Sequence, residues 1–182
     1  FGAGGGSGIF SSFDLSFTEN QVVSVSTIGD DLRRTTTYAN VDGAMSAGAR
    51  IFYTKSSRKE EKEFRYNFTL RGNFSRNVGF TNGTLFNSER FSLSPGVRMT
   101  YAIQEVFEVN PSYNLTYNDT RYSINENRNE DFINHRVGFE ATTFWPKNVI
   151  FGNDISYNYN GNVSPGFQNS SILWNTSLGY QF

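Results

Sequence analysis

The residues that could contact a solute recur at alternate positions within apolar segments. From Phe64 to Ser75, arginine, asparagine and threonine alternate with phenylalanine, tyrosine and leucine. Successive side chains of a β-strand point to opposite faces, so the polar residues would share one face. Guanidinium, carboxylate and amide groups on such a face would pair with one another, with another segment that covers the face, or with a solute. The candidate lumen-lining residues are Arg65, Asn67, Arg71, Arg98, Glu108, Asn114, Arg136, Glu140 and Asp154.

The sequence offers no group of residues for catalysis or for metal binding. His135 is the single histidine and cysteine is absent, so a zinc site, a thiolate site and a catalytic triad all lack partners. The acidic residues of the predicted loops do not have the spacing of an EF-hand. We therefore expect no enzyme, no cofactor and no metal, and we expect His135 to lie at a membrane interface near the loop end of its strand.

The composition combines features that a soluble domain does not usually combine. Mean hydropathy is -0.50, yet 16% of the 182 residues are aromatic, with 18 Phe and 10 Tyr. Transmembrane β-barrels have this mixture because only alternate residues face lipid. No run of 18 or more apolar residues occurs, so we expect no transmembrane helix. A net charge of -1 provides no electrostatic surface for nucleic acid.

Alternation and turn residues divide the chain into eight predicted strands, with a bulge or break near Glu19. An apolar strand face of about ten residues is roughly 34 Å long, and at a tilt of ~40° it covers the ~25 Å apolar band of an outer membrane. The expected fold class is all-β, an antiparallel transmembrane β-barrel, with residues 1–182 forming one barrel domain or a portion of one. The predicted strands are approximately Ile9–Thr27, Arg33–Tyr53, Phe64–Ser75, Arg90–Ile103, Val106–Tyr122, Phe132–Trp145, Val149–Asn160 and Asn169–Phe182.

The predicted connections differ in length. Residues 104–105 and 146–148 are short turns, whereas 77–87, 123–131 and 161–168 are longer loops, and the charged residues 55–62 form a solvated hairpin loop. Bacterial barrels have short periplasmic turns and longer external loops. We therefore expect the longer loops outside the cell, both chain ends in the periplasm, and aromatic girdles at both membrane interfaces that include Trp145 and Phe182.

Three stretches, 35–43 (TTTYANVDG), 164–169 (SPGFQN) and 173–180 (LWNTSLGY), carry a resemblance to a known family. They resemble the outer-membrane β-barrel family of the Bacteroidetes type, relatives of TonB-dependent receptors. The resemblance covers most of the chain, but its motifs mark strands and loops, so no functional residue carries over. It implies solute uptake in the outer membrane of a diderm bacterium, in contact with outer-membrane lipid. It also implies a plug domain, TonB-like energy coupling and surface lipoprotein partners.

Such receptors have barrels of about 22 strands, so the resemblance implies that this chain is a C-terminal barrel portion, with two more strands after Phe182. Two alternatives remain open. Eight strands can close alone, and Tyr180 and Phe182 resemble the aromatic terminal strand of a small closed outer-membrane barrel with a structural or adhesion role. The other alternative is a soluble β-barrel or β-sandwich that binds a carbohydrate or lipid. No motif identifies the solute or the oligomeric state.

Overall fold

The structure is a computed structural model that describes residues 4–144, 146 and 148–180. It consists of antiparallel strands and one 3₁₀ turn at Glu126–Arg128, so the prediction of an all-β antiparallel fold is confirmed. The strands of the described residues are β1 (Gly4–Thr18), β2 (Gln21–Ile28), β3 (Arg34–Val41), β4 (Ala44–Lys59), β5 (Lys62–Thr81), β6 (Thr84–Ile103), β7 (Phe107–Tyr122), β8 (Glu130–Thr143), β9 (Val149–Asn160) and β10 (Ser170–Tyr180).

The main sheet contains eight strands in the order β1-β4-β5-β6-β7-β8-β9-β10, and β2 and β3 form a separate hairpin. Each strand of the main sheet therefore pairs with its neighbours along the chain, apart from the inserted hairpin. Among the described residues β1 pairs only with β4, and β10 pairs only with β9. The sheet is open, with one unpaired edge at each end.

The inserted hairpin β2–β3 arises because each of the first two predicted strands is interrupted, and the two interruptions lie side by side. Asn20 separates β1 from β2 with a φ of 52°, and Gly43 separates β3 from β4 with a φ of 93°. Both values are left-handed, a region that Gly and Asn tolerate best. The Asn20 N–H donates to Asp42 Oδ1 at 2.6 Å and ties the two interruptions together. The predicted break near Glu19 is therefore confirmed.

The prediction of loops at 55–62 and 77–87 is wrong, because the strands continue through both segments to tight turns. Only Glu60 and Glu61 separate β4 from β5, and only Asn82 and Gly83 separate β5 from β6. Asn82 and Gly83 have φ values of 50° and 74°, which is the pattern of a two-residue type I′ hairpin turn. The charged residues of 55–62 lie mostly on paired strands, where Arg58 is opposite Glu63.

The remaining connections follow the predictions more closely. The turn after β6 covers 104–106, and loops of 123–129 and 161–169 follow β7 and β9. The connection between β8 and β9 falls where a short turn was predicted, although Trp145 and Lys147 lie outside the described residues, as does Phe182. No helix in the described part of the chain is long and apolar enough to cross a membrane.

The sheet has almost no buried core. Val41 and Ala44, at the base of the inserted hairpin, are the buried apolar residues of the described ranges. No described large side chain is fully buried, whereas Phe13 is 71% exposed and Trp174 is 67% exposed. The eight strands therefore form a single layer.

Candidate functional site

One face of the sheet carries an unbroken row of large apolar side chains across all eight strands. We call this side of the sheet the apolar face. A second row, one residue away along each strand, lies on the opposite side, which we call the polar face. The apolar row, linked by cross-strand register, is Ile9, Tyr53, Phe68, Val97, Tyr113, Val137, Tyr157 and Ile172. The polar-face row is Phe10, Phe52, Thr69, Gly96, Asn114, Arg136, Asn158 and Ser171.

All nine candidate residues from the sequence lie on the polar face. They are spread over the five adjacent strands β5 to β9, and the register places several of them directly opposite one another. Asn67 is opposite Arg98, and Asn114 is opposite Arg136. Glu140 is opposite Asp154, which sets two carboxylates side by side. Residues that are far apart in the sequence thus form one continuous polar surface.

A hydrogen-bonded network occupies the part of this surface near the short turns. Arg98 Nη2 donates to Glu140 Oε2 at 2.7 Å and so reaches from β6 across β7 to β8. Below this bridge, Thr100 Oγ1 donates to Asn110 Oδ1 at 2.6 Å, and Asn110 Nδ2 donates to Glu108 Oε1 at 2.8 Å. The two side chains of the ion pair are 49% and 48% exposed, so water screens the pair and its contribution is at most about 1 kcal/mol.

The network borders a shallow depression of about 380 Å³. Six of the nine candidate residues line it, and Arg65 and Glu108 line an adjoining depression on the same face. Arg71 lies further toward the long loops, beside Ser94 of β6. The six residues are Asn67, Arg98, Asn114, Arg136, Glu140 and Asp154. These groups can hydrogen-bond to a polar solute and can attract or repel its charge.

His135 lies on the apolar face, in a cluster with two tyrosines. Its Nδ1 is 2.8 Å from Tyr113 Oη, and its ring centroid is 5.5 Å from that of Tyr159. The hydrogen bond satisfies one polar atom of each side chain on this largely apolar face. The charged pairs on the same side, Arg76–Glu89 and Arg121–Asp119, lie nearer the long loops. This position agrees with the expected place near the loop end of its strand, and its location at a membrane interface stays a prediction.

Sequence reasoning missed the part of the polar face formed by β1 and β4. Arg50 and Phe52 lie there, and Phe52 is opposite Phe10. The sequence carries a signal for this part of the face: Arg50 and Phe52 alternate with Ala49, Ile51 and Tyr53 and must therefore point to the opposite side of the strand.

The polar face offers hydrogen bonding and charge. Within residues 4–144, 146 and 148–180, no group of three or more His, Asp or Glu side chains could hold a metal ion. No protein-family model, no curated protein and no solved structure matches this chain. Its function must therefore be inferred from its own residues and their arrangement.

Proposed function

We propose that this chain forms part of the wall of an outer-membrane β-barrel of the TonB-dependent receptor type, which takes up a solute across the outer membrane of a diderm bacterium. In this proposal the apolar face contacts outer-membrane lipid and the polar face lines the lumen. The candidate residues of the polar face then contact the solute or a plug domain. TonB-like energy coupling and a surface lipoprotein are the further partners that the family resemblance suggests.

The uncovered apolar face is the observation that carries this proposal. The accessible surface of the chain is 13126 Å², whereas a compact soluble monomer of 20.6 kDa exposes about 8,900 Å². A soluble sheet covers its apolar face with a second layer, because a bare apolar face of this extent favours aggregation. Lipid provides such a cover without a second layer of protein.

The polar face and the strand edges also support the proposal. Exposed ion pairs such as Arg98–Glu140 suit a hydrated lumen, whereas on a lipid-facing surface these charges would be costly. The free edges of β1 and β10 would leave backbone N–H and C=O groups unpaired in lipid, at a cost of several kcal/mol each. Additional strands would satisfy them, which favours a barrel larger than these eight strands.

Single cysteines provide a direct test, because these 182 residues contain none. Phe68→Cys and Thr69→Cys are neighbours on opposite faces of β5. After folding into phosphatidylcholine vesicles, we expect a water-soluble maleimide to react with Cys at position 69 and to react slowly at position 68. A bimane fluorophore attached at position 68 should be quenched by brominated acyl chains, and one attached at position 69 should not. A chain that folds in plain buffer as a monodisperse species without lipid would refute the proposal.

A small closed barrel with a structural or adhesion role is a second candidate, and the number of strands in the main sheet favours it. Closure would require β1 to pair with β10, which they do not do in the structure. Amide hydrogen exchange in detergent distinguishes the two candidates. In an open edge only alternate amides of β10 are hydrogen-bonded, so the others exchange rapidly, whereas closure would protect them all.

A further inference from the structure

Two arginines lie directly opposite each other on the polar face. Arg50 of β4 pairs in register with Arg71 of β5, and both side chains are exposed. Like charges at directly opposite positions destabilise a sheet. On the other sides of the two arginines the register places Ser12 and Ser94, so the row Ser12–Arg50–Arg71–Ser94 carries two guanidinium groups and two hydroxyl groups.

Neither arginine of this row has an acidic partner. Among the described residues, no carboxylate lies within 4.0 Å of either guanidinium, and neither group donates a hydrogen bond. Two other arginines of the polar face pair with acids at 2.7 Å, Arg65 with Glu63 and Arg98 with Glu140, whereas Arg90 and Arg136 have no carboxylate of the described residues within 4.0 Å. Arg50 and Arg71 differ from these two because they lie directly opposite each other. The nearest acid by register is Asp14, whose carboxylate lies against Gly48 in the next row.

Two phenylalanines lie next to the arginines on the side away from Asp14. Phe10 and Phe52 are opposite each other, two residues along β1 and β4 from Ser12 and Arg50. Both are apolar side chains on a mainly polar face, and Phe10 is 56% exposed. Phenyl rings provide apolar contact surface with defined geometry, and arginine recognises carboxylate and other oxyanions through paired N–H donors.

We infer that Arg50, Arg71, Phe10 and Phe52 form a binding site for an organic anion with an apolar or aromatic body. The two guanidinium groups hold the anionic group, and this removes the repulsion between them. The two phenyl rings contact the apolar body. This inference defines the class of solute that the polar face would bind, and it therefore rests on the proposed function.

The test measures the binding of benzoate to the whole chain folded in detergent, by isothermal titration calorimetry with empty micelles as the blank. We expect saturable binding of benzoate, weaker binding of acetate, which has no apolar body, and no binding of the neutral benzyl alcohol beyond its partition into the blank micelles. Arg71→Gln and Arg50→Gln should each weaken benzoate binding by at least about tenfold, since a charge-assisted bidentate contact is lost. Arg90→Gln removes the same charge from the same face, at a position opposite Ser75 and Thr120 and outside the site, and should leave binding unchanged.

Two further variants test the apolar part and the relief of repulsion. Phe52→Ser should weaken benzoate binding and leave acetate binding unchanged, whereas Phe132→Ser, the same substitution elsewhere on the polar face, should change neither. Without ligand, Arg71→Gln should raise the urea midpoint, because it removes a like-charge pair. The inference is overturned if Arg90→Gln weakens binding as much as Arg71→Gln, if benzoate does not bind saturably, or if Arg71→Gln lowers the midpoint.

The experiments give different results if the binding site is wrong and if the proposed membrane function is wrong. The calorimetry uses detergent and does not depend on where the chain resides in the cell. Cysteine labelling that supports a lipid-facing Phe68, together with absent benzoate binding, would overturn the site alone. Benzoate binding by a chain that folds in plain buffer would instead overturn the membrane proposal.

Discussion

Phe68 and Thr69 are adjacent in sequence, but arginine should have very different effects at the two positions. Phe68 lies in the apolar row between Tyr53 and Val97, and this row crosses β7 and β8 near their middles. If this face contacts lipid, Phe68→Arg should lower the free energy of unfolding by about 2–4 kcal/mol, the range for a cation at mid-depth on a barrel's lipid face. The loss of ring contacts with its neighbours adds to this cost.

Thr69→Arg places the same charge on the polar face. Thr69 is opposite Gly96, which has no side chain, and opposite Phe52. The new guanidinium would lie near Arg71 and Arg98, and each like-charge contact in a hydrated surface adds a few tenths of a kcal/mol. We therefore expect a total cost below about 1 kcal/mol, clearly smaller than that of Phe68→Arg.

A third variant separates lipid from a packed protein core, because both environments disfavour arginine at position 68. Phe68→Leu should be nearly silent in lipid, since acyl chains adapt to the shape of the side chain. In a close-packed core it would leave a void and cost about 1 kcal/mol or more. The assay is the free energy of unfolding by urea in phosphatidylcholine vesicles for all three variants. Equal costs for arginine at positions 68 and 69 would refute the assignment of the two faces.

Three further predictions concern a turn, an ion pair and a loop. Gly83→Ala should lower the free energy of unfolding in urea by about 1–2 kcal/mol, because Gly83 has a φ of +74°. The control Gly72→Ala, at a site with ordinary packing, should lower it by less than about 0.5 kcal/mol. Equal costs for the two variants would contradict the type I′ turn. A double-mutant cycle of Arg98→Ala and Glu140→Ala should give a coupling below about 1 kcal/mol that is lost near 1 M NaCl; a salt-independent coupling would mean that the pair is shielded from water. An epitope tag after Asn127, in the loop that follows β7, should be detected by antibody on intact cells; detection only after lysis would invert the proposed orientation.

The sequence alone was sufficient for the all-β antiparallel class and for the assignment of side chains to faces. Alternation over Phe64–Ser75 requires one apolar and one polar face, whatever the neighbouring strands are, because a strand has a side-chain period of two. For this reason all nine candidate residues lie together on one face of the structure. The short turn at 104–106 and the loop at 161–169 were also recognisable, since turn-forming residues interrupt the alternation there.

The tertiary structure decided which residues are neighbours, because register depends on turns and on pairing along whole strands. The two-residue turn at Asn82–Gly83 continues β5 and β6 through a segment that the sequence suggested was a loop. The opposition of Arg50 and Arg71 depends on the register of β4 with β5, which the pattern of neither strand determines. The open edges of β1 and β10 could not be predicted from the sequence either, because alternation describes one strand at a time and does not specify which strand pairs with its edge.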